Sequence, residues 1–308
     1  MNELDFIDRL KEIATHPAAR GLADDAAVIP FGRQKLVLTH DMMVEGVHFL
    51  SDANPADVAW KLVAVNLSDL AAKGAKPLGV LLGYSRSGNE WDEVFMLGLK
   101  QAIDHFCVPL LGGDTVSPKE EGSRTLGLTA FGEVKGHIVP SRGGAMAGHS
   151  VYVTGAIGDG WAGLQLAKRG TNATEATAKL LKAYNRPQPR LDEGRALSTL
   201  VSAMMDISDG LLLDASRIAD ASNVAIEIDL AKIPLSPEFM SIFGDDQNSR
   251  MNAATGGDDY QLLLTASPET VLPVPAVKVG LCKSGTGLIM LYDGQIIKQP
   301  MNLGFIHA

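Results

Sequence analysis

The stretch from Asn54 to Gly79 constrains this chain most. Asn54-Pro55 supplies an N-cap and a first-turn proline, and Gly74 and Pro77 stop what begins there, so Ala56–Lys73 reads as one helix. Trp60, Leu62, Val63, Val65, Leu67 and Leu70 leave it almost no polar face, and such a helix is buried in a fold. Its last turns nevertheless carry Asn66, Ser68 and Asp69. A carboxylate there needs a cation, because burying it bare is too costly. The plain source is Lys73, four residues on, along a solvated stripe. The remainder of the chain offers another source, since aspartates recur in apolar, glycine-flanked settings.

Asp24 and Asp25 precede a short apolar strand ending near Ile29. On an extended segment adjacent side chains point to opposite sides, so at most one of the two is expected to face a site. A strand over Lys35–Leu38 runs into Thr39-His40-Asp41, and His48 follows among apolar neighbours, where a lone histidine is usually structural. Val108–Leu111 reads as a short buried strand that stops at Gly112-Gly113-Asp114-Thr115, a tight turn or a close approach to a ligand. Arg142 lies in the glycine-rich stretch Ile138–Gly148, which is read as a junction between domains 1–137 and 138–308. In the second domain Asp206 and Asp209 flank Ser208; Asp209 has the option of capping the following helix, whereas Asp206 has no such role. Gly256-Gly257-Asp258-Asp259-Tyr260 precedes the strand Leu262–Thr265.

Two carboxylates about 5 Å apart repel by roughly 3 kcal/mol at an effective dielectric of 20. A group drawn from Asp25, Asp41, Asp69, Asp114, Asp206 and Asp209 therefore requires cations. All-oxygen ligands suit Mg²⁺, the usual partner of nucleotide phosphates. The net charge of −9 argues against nucleic-acid or anionic-membrane partners. The acidic start lacks an apolar signal core, no stretch approaches a membrane span, and Cys107 and Cys282 read as reduced core residues, so a cytoplasmic enzyme is expected.

The segments DDAAVI (24–29), THDMMVEGVHF (39–49), AVNLSDLAAKGAKP (64–77), LGGDT (111–115), SRGGA (141–145), RPQPR (186–190), DISDGLLLD (206–214) and TGGDDYQLL (255–263) resemble the thiamine-monophosphate kinase family, in its order and over nearly the whole chain. The resemblance implies a two-domain α/β (α+β) fold of the aminoimidazole-ribotide-synthetase-like type: an N-terminal mixed sheet with helices, then an α/β domain completing the cleft. It implies transfer of the ATP γ-phosphoryl group to thiamine monophosphate, several Mg²⁺ ions, and a homodimer formed largely through the first domain. It carries metal-site roles to Asp25, Thr39, His40, Asp41, Asp69, Asp114, Asp206 and Asp209, with Asp69, Asp114 and Asp209 as catalytic members. Gly113, Asp114, Arg142 and Ser208 match nucleotide-contacting positions; His48, Asp258 and Phe305 match substrate-contacting ones. The chain departs from the family in having His40 between Thr39 and Asp41, where a TTD or STD triplet is usual, and in Asp258 and Gln261, where glutamates are usual. The alternatives are another ATP-using member of the superfamily, or a non-catalytic nucleotide- or thiamine-phosphate-binding protein.

Overall fold

The computed structural model describes residues 3–86, 88–117, 122–136, 138–170 and 174–306. The expected domain boundary at His137 lies outside them.

The first part of the chain runs α1 (Glu3–Ile13), β1 (Ala27–Phe31), β2 (Gln34–Val44), α2 (Pro55–Ala72), β3 (Lys76–Ser85), α3 (Asn89–Phe106), β4 (Leu110–Val116) and β5 (Thr125–Lys135). Its sheet has the order β1-β2-β5-β3-β4, antiparallel except for the parallel β3–β4 pair. α2 begins as the sequence dictates: Asn54 accepts the Ala56 N–H and Pro55 fills the first turn. Val58, Leu62, Val63, Leu67 and Leu70 bury against the sheet and α3, each contributing on the order of 2 kcal/mol of apolar burial.

The second part runs β6 (Ser150–Val153), α4 (Asp159–Arg169), α5 (Glu175–Asn185), α6 (Leu191–Leu197), β7 (Ala203–Asp206), α7 (Leu211–Ser222), β8 (Ala225–Asp229), α8 (Pro237–Phe243), α9 (Gln247–Gly256), β9 (Leu262–Ala266), β10 (Val277–Lys283), β11 (Gly287–Tyr292) and β12 (Gln295–Ile296). These strands form a sheet of order β12-β11-β8-β10-β6-β9-β7. The far side of α2 is not solvated: Ala71 and Ala72 pack on Leu197, Met204, Leu262 and Leu264. One helix is thus the shared core of both sheets, which explains its missing polar face. No helix among the described residues is long and apolar enough to cross a membrane.

Three local expectations change. β2 runs on as a strand through Thr39-His40-Asp41 to Val44. β4 is an exposed edge strand that continues through both glycines. A Cβ on Gly113, which has φ +154°, would lie 1.9 Å from the Leu82 carbonyl oxygen, so that glycine serves strand packing. Cys107 is exposed, while Cys282 is buried as expected.

Candidate functional site

The end of α2 delivers Asp69 to the inner face of β2, where alternation also places Thr39 and Asp41. Pairing with β1 ends at Leu38, and beyond it Asn66 accepts the Asp41 N–H at 2.9 Å. The asparagine in the apolar helix thereby fills the place of a lost neighbouring strand. β7 ends at Asp206 beside Ser68, whose hydroxyl donates to it at 2.6 Å. Thr39 donates to Asp69. Asp25, Asp69 and Asp206 each place a carboxylate oxygen within 4.8 Å of the others.

These carboxylates are not equivalent. Burial pushes Asp69 well above the ordinary carboxylate range, and Asp41, Asp206 and Asp25 push it further. Burial and then Asp25 raise Asp206 to about 8. Burial, Asp25 and Asp209 raise Asp41 to about 6. Burial pushes Asp25 up as well, but Lys73 and Arg142 outweigh it and its carboxyl ends below the usual value. Lys73 does not pair with Asp69. It turns to Asp24 and Asp25, meeting Asp25 Oδ2 at 2.6 Å, and Arg142 Nε donates to Asp25 Oδ1 at 2.7 Å. Both aspartates face one lysine because residues 24–26 form a bend instead of the expected extended segment.

Other expected residues fall around this centre. Asp209 lies close enough to raise Asp41, but Arg217 Nη1 pairs with its Oδ2 at 2.7 Å. It does not cap α7, whose N-cap is Gly210; instead Asp214 accepts the N–H groups of Ser208 and Asp209. Phe305 donates its N–H to the Asp209 carbonyl at 2.8 Å, folding the tail over that turn. Ser208 accepts the Asp258 N–H at 2.8 Å. A Cβ on the intervening Gly257, at φ +74°, would stand 2.6 Å from the Ser208 oxygen. That glycine lets the two loops touch.

Two expectations are corrected by strand alternation. His40 projects from the outer face of β2, and its Nδ1 bonds Thr129 Oγ1 at 2.8 Å, so its ring turns away from the carboxylates. Asp114 pairs in register with Gly83, Gly83 with Gly127, and Gly127 with Met42. It therefore shares the outer face with Met42, three strand spacings from β2, or about 14 Å in a flat sheet. Within one chain Asp114 does not join the cluster.

Sequence reasoning missed Lys61. This buried α2 lysine pairs with Asp258 Oδ2 at 3.0 Å, reaches the His48 carbonyl at 3.4 Å, and stands 3.9 Å over the Tyr184 ring. The other oxygen of Asp258 accepts from the Tyr260 hydroxyl at 2.8 Å. His48 Nδ1 accepts the Val44 N–H. Asp258 also lines a cavity of about 260 Å³ with Asp159, Lys182, Arg186, Arg190 and Gln261. Lysine on an apolar helix gives no local signal for this, because its partner lies 197 residues away.

Residues 23–134 match the N-terminal domain, and residues 146–278 the C-terminal domain, of the AIR synthase related protein family. A thiamine-monophosphate kinase from Caulobacter vibrioides is 37% identical, with 99% of this chain and 91% of that protein aligned. The chain belongs to the thiamine-monophosphate kinase family. One from Aquifex aeolicus is 33% identical across 97% of this chain and 96% of its own. The solved structure of AaThiL complexed with AMPPCP and TMP superposes with a TM-score of 0.88 at 31% identity, covering 98% of this chain and 96% of that one. A hydrogenase maturation protein HypE solved in complex with ATP superposes at 0.69 with 17% identity, a likeness of fold alone. The kinase family's two-domain mixed α/β architecture is thus the one expected from the sequence.

Proposed function

We propose that this chain transfers the γ-phosphoryl group of ATP to thiamine monophosphate, giving thiamine diphosphate and ADP. The observation that carries the mechanism is the set Asp41, Asp69 and Asp206: buried, mutually repelling, and paired with no lysine or arginine among the described residues. With Thr39 and Ser68 they form an oxygen-only donor set that fits Mg²⁺. Asp41, Asp69 and Asp206 would hold divalent cations there, which would supply neutralisation of the phosphate charge. The acceptor is a phosphate oxygen already ionised at neutral pH, so no side chain need act as a base. Asp41, Asp69 and Asp206 position the reacting groups, Ser208 and Arg142 border the nucleotide, and Asp258, its carboxylate fixed by Lys61 and the Tyr260 hydroxyl, faces the cationic substrate ring.

A homodimer belongs to this reading. The outer face of the first sheet exposes Phe31, Met42, Leu111 and Val116, an apolar surface that a second copy covers. Gly113 and Asp114 then act from that interface toward the partner's nucleotide and not on their own cluster. Sedimentation velocity reads the dimer directly.

The testing experiment incubates the protein with ATP and thiamine monophosphate and identifies products. Thiamine diphosphate and ADP are expected in equal amounts, both abolished by EDTA, with free thiamine left unphosphorylated. A stable complex without ADP would favour the binding-protein alternative. Phosphorylation of free thiamine at a comparable rate would contradict a mechanism without a base.

A further inference from the structure

Lys73 follows the last turn of α2 and is wholly buried. Its ammonium contacts Asp24, Asp25 Oδ2 at 2.6 Å and the Met204 carbonyl at 3.3 Å, so its donors reach both parts of the chain. Arg20 holds the second oxygen of Asp24 at 2.5 Å. Arg142 holds Asp25 Oδ1 through Nε at 2.7 Å and Nη2 at 2.6 Å. Each oxygen of both aspartates thus lies beside a protein cation, Asp25 Oδ2 through its ion pair with Lys73 alone, since it accepts no hydrogen bond among the described residues. Asp25 is also one of the three carboxylates gathered within 4.8 Å, which puts the lysine ammonium at the rim of that cluster. A divalent ion ligated by Asp25 Oδ2 would sit beside a buried ammonium with little solvent between them, where charge repulsion is least screened.

We infer that Lys73 is a resident cation of the carboxylate site: with Arg142 it occupies Asp25 in place of a divalent ion. Asp25 is then a positioning residue that carries the charge of Lys73 to the edge of the cluster. The ligands proper are Asp41, Asp69 and Asp206. This rests on the reading of those three as a divalent-cation site. Its consequence is that the chain assembles its cleft without metal and binds one ion fewer than it would with an uncharged residue at position 73.

The test counts Mn²⁺ ions per chain by equilibrium dialysis without nucleotide, for the wild type, Lys73→Met, Lys73→Arg and Asp25→Asn, and records melting in EDTA. Lys73→Met is expected to bind one additional ion per chain and to melt lower in EDTA. Lys73→Arg is expected to keep the wild-type count, and so is Asp25→Asn, which decides the matter if Lys73→Met fails to fold. An unchanged count in Lys73→Met, or the loss of one ion in Asp25→Asn, overturns the inference while leaving the cation site standing. No Mn²⁺ on any of the proteins overturns the site reading and the inference with it.

Discussion

The two halves of this acidic cleft differ in what neutralises them. In one half Asp24 and Asp25 lie among Arg20, Lys73 and Arg142. In the other, Asp69 and Asp206 accept hydroxyls from Thr39 and Ser68, and no lysine or arginine pairs with Asp41, Asp69 or Asp206 among the described residues. Burial is similar in both, yet the Asp25 carboxyl ends lowered and the other three end raised. Burial of an aspartate therefore does not by itself mark a ligand. The absence of compensation by the protein's own cations does, because that is where an external cation lowers the energy most.

The comparison breaks most sharply on paired substitutions. Asp69→Asn keeps shape and removes charge from the uncompensated half. We expect kcat to fall at least ~100-fold, about 2.7 kcal/mol, while the melting temperature in EDTA does not fall, since a repelling charge is gone. Asp24→Asn, in the compensated half, is expected to reverse the pattern: kcat within a few-fold of wild type and a lower melting temperature, because Lys73 and Arg20 each lose a buried partner. Equal losses of kcat in the two variants would erase the distinction.

A smaller effect separates the metal centre from the substrate side. Asp258→Ala and Lys61→Met are each expected to raise the KM for thiamine monophosphate roughly tenfold, about 1.4 kcal/mol, and to spare that for ATP. Because the two side chains act as one pair, the double variant should be no worse than the poorer single. Additive losses, or unchanged KM values with only a lowered melting temperature, would assign the pair a purely structural role.

The mildest effect is a slope with pH. Asp41 titrates near 6 and Asp206 near 8 in the fold, against an ordinary 3.8, so the folded state holds more protons than the unfolded chain between those values. Their contribution to stability is full below about pH 4 and is lost as pH rises through 6 and 8. Asp25, lowered instead, contributes in the opposite sense, but only below its ordinary value. In EDTA the melting temperature should therefore decline from pH 5 to pH 8, and Mg²⁺ should flatten the decline. A rise over that window would contradict the account.

What was legible in the sequence was local. The apolar circumference of α2 and its Asn-Pro start gave the helix to within a residue of its ends. The glycines beside Asp209 and Asp258 marked loops that do come together, Ser208 against Asp258. What was not legible depends on faces and on distant partners. A strand read as stopping at Leu38 hides that His40 and Asp41 leave on opposite sides, and a strand read as stopping at Gly112 hides that Asp114 belongs to the outer face. Lys73 carries an i+4 relation to Asp69, but it bends toward Asp24, 49 residues away. α9, with few apolar residues, gives no helical stripe to read.

The central claim is that external cations occupy the uncompensated half. Anomalous diffraction from crystals of the protein grown with Mn²⁺ and a non-hydrolysable ATP analogue tests it most directly. The account predicts peaks at ordinary oxygen-ligand distances, about 2.0–2.2 Å, from the carboxylates of Asp69 and Asp206, with Lys73 still on Asp25. Peaks on Asp25 with Lys73 displaced, or no peak within reach of Asp69, would contradict it.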